Sequence, residues 1–412
     1  MKKNVWIINH YAGDMFAEKG GRHYSLAKYL KKGEYEPTIF CSNFWHNSDG
    51  VFFFDAENCG EHVAEEIGVP FVFVNTRAYK GNGKDRVLNM IDFYRGVKKA
   101  AMQYAETHGD PDVIIASSVH PLAWVAGIKL AKHYGVKCIC EIRDLWPESL
   151  VAYEIVGKYN PITLALRRLE KWAYKKADSV VFTMEGAYEY IIDQGWEKSI
   201  PRSKVYFINN GVDLETFDYN KEHYKIDDPD LEDDSFFKVV YTGSIRKVNN
   251  LNMILNAAKQ IKNPKVKLLI WGSGDELPAL KRRVIDEKIE NVVFKGKVEK
   301  WYVPYITSGC DLGIYHLDRS SIVKYGLSLN KMFDYFAAGL PVLTDCKTDY
   351  NPAIICNAGS TAGSDDPSLV AAEIERYASM SPEEMKSIKT AARAAAVKYD
   401  FSNLAEQLAN LV

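Results

Sequence analysis

No CxxC pair, no apolar run of about 18 residues and no GxGxxG motif after a first strand occurs in this chain, and each absence removes a class. The seven cysteines include one close pair, Cys138 and Cys140, inside the apolar run KCICEI. That arrangement favours neither a zinc site nor a disulfide framework, and buried thiols in a reducing cytoplasm are the simpler reading. The lack of a long apolar run argues against a transmembrane helix. MKKNVWIINH meets His10 and a polar loop after a short apolar stretch, so it reads as a first β-strand rather than a signal peptide. A net charge of −2 lacks the basic balance of a dedicated nucleic-acid binder. The missing GxGxxG argues against a nicotinamide-dependent oxidoreductase.

What is present is a soluble composition, 47% apolar and 26% charged, over 412 residues. That length suits two domains of roughly 200 residues each. Short apolar runs alternate with amphipathic helical segments, the pattern of a parallel α/β architecture. In the first half the strand candidates are VWIIN, TIFCSN, FVFVN, DVIIAS, KCICEI, SVVFT and VYFIN; in the second they are KVVYTG, VKLLIWG, NVVF, CDLGIYH and PVLTD. Each half opens with a strand, a polar or glycine-bearing loop and a helix. Two Rossmann-like domains are therefore expected, at 1–216 and 238–395, with ligands bound in a cleft between them. The stretch 217–237, FDYNKEHYKIDDPDLEDDSFF, is acidic and almost free of aliphatic residues, which marks a linker or surface excursion. Helical sequence closes the chain with a break at Asp400, and 396–412 is read as a terminal helix that packs back on the N-terminal domain.

The richest segment is KYGLSLNKMFDYFAAGLPVLTD, from Lys324 to Asp345. Ser328 can cap a helix starting near Asn330, whose positive end favours an anion. Lys331 in the first turn opposes the helix dipole unless an anion compensates it, so it suggests a bound phosphate. Asp334 follows on the same face, where it can accept hydrogen bonds from ribose hydroxyls. Gly339 then stops the helix, and an ordinary helix with scattered charge is the alternative. The loop TGSIRKVNN places Gly243, Arg246 and Lys247 after a strand, as a second phosphate clamp or a solvated charge pair. IWGSGDE carries Gly272, which one tight turn also explains, and Gly296 and Val298 can line a base pocket with their backbone.

In the first half, Gly20 and Gly21 lead into a helix and permit close backbone approach to a ligand. His120 follows the strand VIIASS and Arg143 follows KCICEI, both at the edge where α/β sites are built. A lone histidine is more often structural, and Arg143 can pair with Asp144. The stretch Tyr79–Lys99 contains Asn82 and Arg86 among basic and aromatic residues. It reads as an amphipathic surface helix or as a rest against an anionic membrane that admits a lipid-linked acceptor.

The order of GGRHYSLAKYL, SSVHPLAWVAG, EIRDLWPESL, NNGVDLETF, YTGSIRKVNNL, IWGSGDE and SLNKMFDYFAAGLPVL resembles the GT-B-fold retaining glycosyltransferases of family four over nearly the whole chain. Within these it looks closest to the bacterial N-acetylfucosamine-transferase-like branch. The resemblance implies a nucleotide-sugar donor, a UDP-linked one, held mainly by the C-terminal domain. It also implies a lipid-linked or glycan acceptor held by the N-terminal domain, and neither metal nor other cofactor. Arg246 and Lys331 would contact phosphate, Asp334 the ribose and His120 the donor sugar, and Gly20 and Gly21 would let the backbone approach the diphosphate. The donor set then also takes in Gly243, Lys247, Gly272, Gly296, Val298, Gly326, Ser328 and Asn330. Tyr79, Asn82, Arg86 and Arg143 form the acceptor set. The expected setting is cytoplasmic, peripheral at the inner face of the membrane.

Three positions depart from the family pattern. Gly326 and Asp334 stand where two glutamates are common, the lysine of a downstream KG pair is missing near Asn249 and Asn250, and Arg143 replaces a histidine before DLW. Two other readings remain open. One is a UDP-N-acetylglucosamine 2-epimerase, which needs cleft carboxylates that the sequence does not cluster. The other is a non-catalytic sugar-nucleotide-binding scaffold subunit.

Overall fold

The computed structural model describes residues 2–46, 51–81, 83–118, 120–317 and 321–412. The chain divides into two compact units, Met1–Asn209 with Phe401–Val412, and Asn210–Asp400.

The first unit is built on β1 (Lys3–Ile8), β2 (Tyr35–Ser42), β3 (Glu61–Ala64), β4 (Val69–Val74), β5 (Val113–Ser117), β6 (Lys137–Ile142), β7 (Ser179–Phe182) and β8 (Val205–Phe207). Their order in the sheet is β3-β4-β2-β1-β5-β6-β7-β8, and every pairing is parallel except β3 with β4. Strands such as VIIAS in β5 are buried along their whole length because helices cover both faces. The order reverses between β1 and β5, so their carboxyl ends diverge into loops at a topological switch point. His10 and His120 lie just beyond those two ends.

The second unit contains β9 (Phe237–Thr242), β10 (Val266–Trp271), β11 (Val292–Gly296), β12 (Leu312–Tyr315), β13 (Val342–Thr344) and β14 (Gly359–Thr361), all parallel, in the order β11-β10-β9-β12-β13-β14. Its switch point falls between β9 and β12, where Gly243 and His316 follow the strand ends.

Domain limits differ from the sequence expectation at three places. Residues 210–216 belong to the second unit, where Val212 bridges Asp400 and Asp213 caps helix Leu214–His223. Residues 217–237 are not a linker: helices Leu214–His223 and Pro229–Glu232 bury Phe217 and Leu231 in the second core. Their acidic character is offset in place. Lys295 binds Asp228 at 2.7 Å and Lys267 binds Asp230 at 2.8 Å, both lysines arising from the sheet. Finally, helix Pro382–Lys398 stays with the second unit, its Ala392, Ala395 and Ala396 in that core. The return begins at Phe401, at the predicted Asp400 break. Phe401, Leu404, Ala405 and Leu408 join the first core beside helix Arg22–Lys32.

A buried charge cluster fixes the carboxyl edge of the first sheet. Glu141 on β6 accepts from Arg22 Nε at 2.8 Å, His23 Nε2 at 2.8 Å and Ser117 Oγ at 2.7 Å. Arg22 also donates to the carbonyls of Asn209 and Ile208, at 2.5 and 3.0 Å. Burial pushes the Glu141 pKa up, but Arg22 and His23 outweigh it and hold the carboxyl well below its ordinary range. Arg22→Met should destabilise the first unit by about 3–5 kcal/mol in urea unfolding, because it strands a buried carboxylate. The double variant Arg22→Met/Glu141→Gln should recover part of that loss; an unchanged midpoint in the single variant would deny the cluster a structural role.

Candidate functional site

The second unit builds its site from the carboxyl ends of β9, β10 and β11. Gly243 N–H donates to Trp271 O at 3.0 Å, Gly272 N–H to Gly296 O at 2.8 Å and Ile245 N–H to Ser273 O at 2.8 Å. These bonds join three loops into one backbone platform. Gly272 has φ of 150°, and a Cβ there would sit 1.8 Å from the Gly243 carbonyl oxygen. Only glycine allows that approach. Gly243 (φ 140°) and Gly296 (φ 82°) share the positive-φ backbone, and Val298 packs against the core just beyond.

Helix Asn330–Ala337 points its N-terminus at this platform. A Cβ on Gly243 would meet Lys331 Nζ at 3.1 Å. Lys331 donates to Tyr241 Oη at 2.9 Å and rests 4.2 Å from the centre of that ring, while Tyr241 Oη donates to Ser244 O at 2.8 Å. No carboxylate among the described residues pairs with the ammonium, and burial pulls its pKa down to about 7. Asp334 does not neutralise it. Burial raises the Asp334 pKa to about 6, with Lys300 opposing.

The start of helix Arg22–Lys32 shows the contrast. There too a cation, Arg22, stands at a helix N-terminus, but Glu141 compensates it inside the fold and also bonds the neighbouring His23. Lys331 occupies the same dipole mismatch with no internal anion among the described residues.

Ser328 is not the helix cap. The N-cap is Leu329, without a side-chain bond, and Ser328 Oγ accepts from Asn210 N at 3.3 Å. Asn330 Oδ1 accepts from Asn210 Nδ2, so Asn210 ties the entry to this helix from outside it. The first N–H groups of the helix thus have no side-chain cap. Gly326 is buried with φ of 123°. Arg246 and Lys247 are exposed in the loop, and no contact joins them to Lys331. Asn250, left-handed at φ 36°, donates to His316 Nε2 at 3.4 Å, and His316 Nδ1 in turn bonds Asp345. His316 and Asp345 escaped the sequence reading although both follow strand ends, the signal that singled out His120. Tyr241 escaped because it lies within a strand.

In the first unit His120 Nε2 lies 2.6 Å from His10 Nδ1, and His10 stacks on Phe93 with centroids 4.3 Å apart. Both rings are held neutral. Burial, then Arg86, lowers the His120 pKa to about 3, and burial, then His120, holds His10 well below its usual range. His120 Nδ1 is buried and unpartnered among the described residues. Arg86 donates to Tyr11 Oη at 3.4 Å, and Tyr79 Oη reaches the same oxygen at 3.5 Å. Tyr79, Arg86 and His120 are thus brought together, whereas Asn82 lies outside the described residues. Tyr79 and Phe93 are buried, which removes the aromatic face that made Tyr79–Lys99 resemble a membrane rest. Arg143 makes no ion pair with Asp144; its N–H bonds Ser118 Oγ at 3.0 Å. Gly21 has φ of 100° at the helix start, but Gly20 has ordinary backbone, and a Cβ there would meet only the Glu18 carbonyl oxygen, at 3.7 Å.

Two parallel α/β units of this topology define the GT-B fold. Sucrose-phosphate synthase from Thermosynechococcus elongatus superimposes with a TM-score of 0.70 at 14% identity, over 100% of this chain and 98% of its own. Anabaena HepE in complex with UDP and glucose gives 0.66 at 15% identity, over 99% of both chains. At such identities the likeness is one of fold. The Glycosyltransferase Family 4 model matches residues 23–216, and the Glycosyl transferases group 1 model matches 237–379. Each match covers less than half of the chain, and together they lie along a GT-B frame. Among curated proteins, the probable glycosyltransferase WbjE of Pseudomonas aeruginosa is 22% identical over 236 residues, which span 56% of this chain and 56% of that protein.

Gly272→Ala should abolish UDP-induced thermal stabilisation by forcing the two loops apart, while Gly20→Ala should leave it unchanged. UDP affinity should peak between about pH 6 and 7. An anion bound at Lys331 would draw a proton onto the amine above about pH 7, and a hydroxyl donor bound at Asp334 would drive a proton off the carboxyl below about pH 6. Calorimetry in buffers of different ionisation enthalpy should show proton uptake at pH 8 and release at pH 5, and a flat profile would contradict both roles.

Proposed function

We propose that this chain is a retaining glycosyltransferase that moves an N-acetylated or deoxy sugar from a UDP-linked donor to a lipid-linked or growing glycan acceptor in cell-surface polysaccharide synthesis. It works peripherally at the cytoplasmic face of the membrane. The observation that carries this reading is Lys331, a half-buried cation at an uncapped helix N-terminus with no internal anion among the described residues. A diphosphate supplies the missing charge, and the backbone platform at Gly243 and Gly272 lets it approach. UDP and glucose in HepE, a protein of the same fold, support the choice of ligand.

In this mechanism Lys331, Arg246 and the helix N–H groups stabilise the charge that develops as the bond between the anomeric carbon and the UDP oxygen breaks. The acceptor hydroxyl attacks the anomeric carbon on the face that UDP leaves. Its proton passes to the departing diphosphate, so configuration is retained and no enzyme nucleophile is needed. His120, kept neutral, offers the donor sugar a hydrogen-bonding nitrogen without adding charge. Asp334 accepts from the ribose. Tyr79, Arg86 and Arg143 serve the acceptor, and no metal is required.

Purified protein should release UDP only when acceptor is present, at a rate indifferent to EDTA. Lys331→Ala should lower kcat/KM by about 100-fold or more. Lys331→Met should abolish the UDP-induced thermal shift yet raise the melting temperature of the ligand-free protein, since it removes a desolvated ammonium. UDP release that survives either substitution would sink the assignment.

A further inference from the structure

The first unit exposes a run of large apolar side chains that its core does not use. Tyr153, Ile155, Tyr159, Ile162 and Leu164 lie within twelve residues, and Ile155, Tyr159 and Ile162 are 64%, 79% and 62% exposed. Single exposed apolar residues are ordinary, but five within one short stretch mark an interaction surface. The local backbone is nevertheless well anchored. Asn160 caps helix Pro161–Lys176 by accepting from Ile162 N at 2.9 Å, and Thr163 donates to Gly157 O at 2.9 Å. The exposure is therefore held in place by the fold.

The exposed charges along this stretch are mostly cationic. Lys158, Arg168, Lys175 and Lys176 are exposed, and Lys158 Nζ sits 5.8 Å from the centre of the Tyr159 ring. Of the three acidic residues between Glu148 and Lys176, Glu148 is bound by Arg167 at 2.6 Å. Glu170 is buried among the hydroxyls of Tyr174 and Tyr190, which leaves Glu154 as the exposed one. A chain with net charge −2 thus carries a local excess of cations next to a group of strongly exposed aliphatic and tyrosine side chains. Tyrosine rings suit the headgroup region of a bilayer, aliphatic tips suit the acyl boundary, and long cationic side chains reach anionic headgroups.

We infer that the Tyr153–Leu164 surface, with the basic half of helix Pro161–Lys176, docks this protein on an anionic lipid bilayer. The inference rests on the proposed function for its setting, a lipid-linked acceptor, and it replaces the Tyr79–Lys99 stretch as the lipid-facing element. Apolar insertion and cation attraction act together, so neither alone should hold the protein.

The test is co-sedimentation of the full chain with vesicles of phosphatidylcholine alone or mixed equally with phosphatidylglycerol, with no donor or acceptor present. Failure of transferase activity therefore cannot mask or mimic the result. Wild type should partition onto the mixed vesicles and weakly onto the neutral ones, with added salt reducing the difference. Ile155→Ser/Tyr159→Ser/Ile162→Ser should weaken partition by about tenfold or more, and Lys158→Glu/Arg168→Glu by a similar factor. Both variants alter exposed positions, so the thermal transition should stay in place. Lys98→Glu/Lys99→Glu, on the helix set aside above, should bind like wild type. Wild type that ignores anionic vesicles, or a triple serine variant that binds undiminished, would overturn the inference. So would a vesicle-free dimer that the serine variant dissolves, since a second copy would then own the surface.

Discussion

The salt link between Arg22 and Glu141 is the constraint on which the first unit turns. It joins the first residue of a helix, the middle of the sheet and the end of the last strand around one buried carboxylate. A buried ion pair rarely adds net stability, since desolvation offsets most of the Coulomb gain. What it provides here is position. The helix cannot rotate or slide without stranding a charge, so Gly21 and the loop before it are held at the carboxyl edge where His10 and His120 also stand.

The second unit handles the same electrostatic problem in the opposite way. Lys331 is placed at a helix start and desolvated, with a tyrosine ring and hydroxyl as its neighbours and no anion of the protein's own among the described residues. One unit spends its carboxylate on architecture and the other leaves its cation unmet. This asymmetry distinguishes a structural helix N-terminus from a ligand-binding one, though the two look alike as strings of residues.

Much of the fold was legible because most strands are buried on both faces and so read as apolar runs; all twelve runs singled out in the sequence are strands. The two missed strands, Glu61–Ala64 and Gly359–Thr361, lie at sheet edges, where one-sided burial leaves no apolar signature. The acidic stretch 217–237 misled for a related reason. Its charges are answered by Lys267 and Lys295, which lie far off in sequence, so composition could not reveal the pairing. Within the site, Lys331, Asp334 and the glycines could be seen from helix and turn chemistry. Ser328 accepting from Asn210 instead of capping the helix, and His316 bonded to Asp345, depend on contacts between distant segments. Tyr79 and Phe93 face inward, which periodicity alone did not decide.

The placement of helix Phe401–Ala409 within the first core sets an order of assembly. The opening 209 residues contain every strand of the first sheet, yet the groove beside helix Arg22–Lys32 stays unfilled until Phe401, Leu404 and Leu408 have been synthesised. The second unit, continuous from Asn210 to Asp400, has all its parts before then. During translation the domain begun first is therefore the one completed last, with an apolar groove left bare while its neighbour folds.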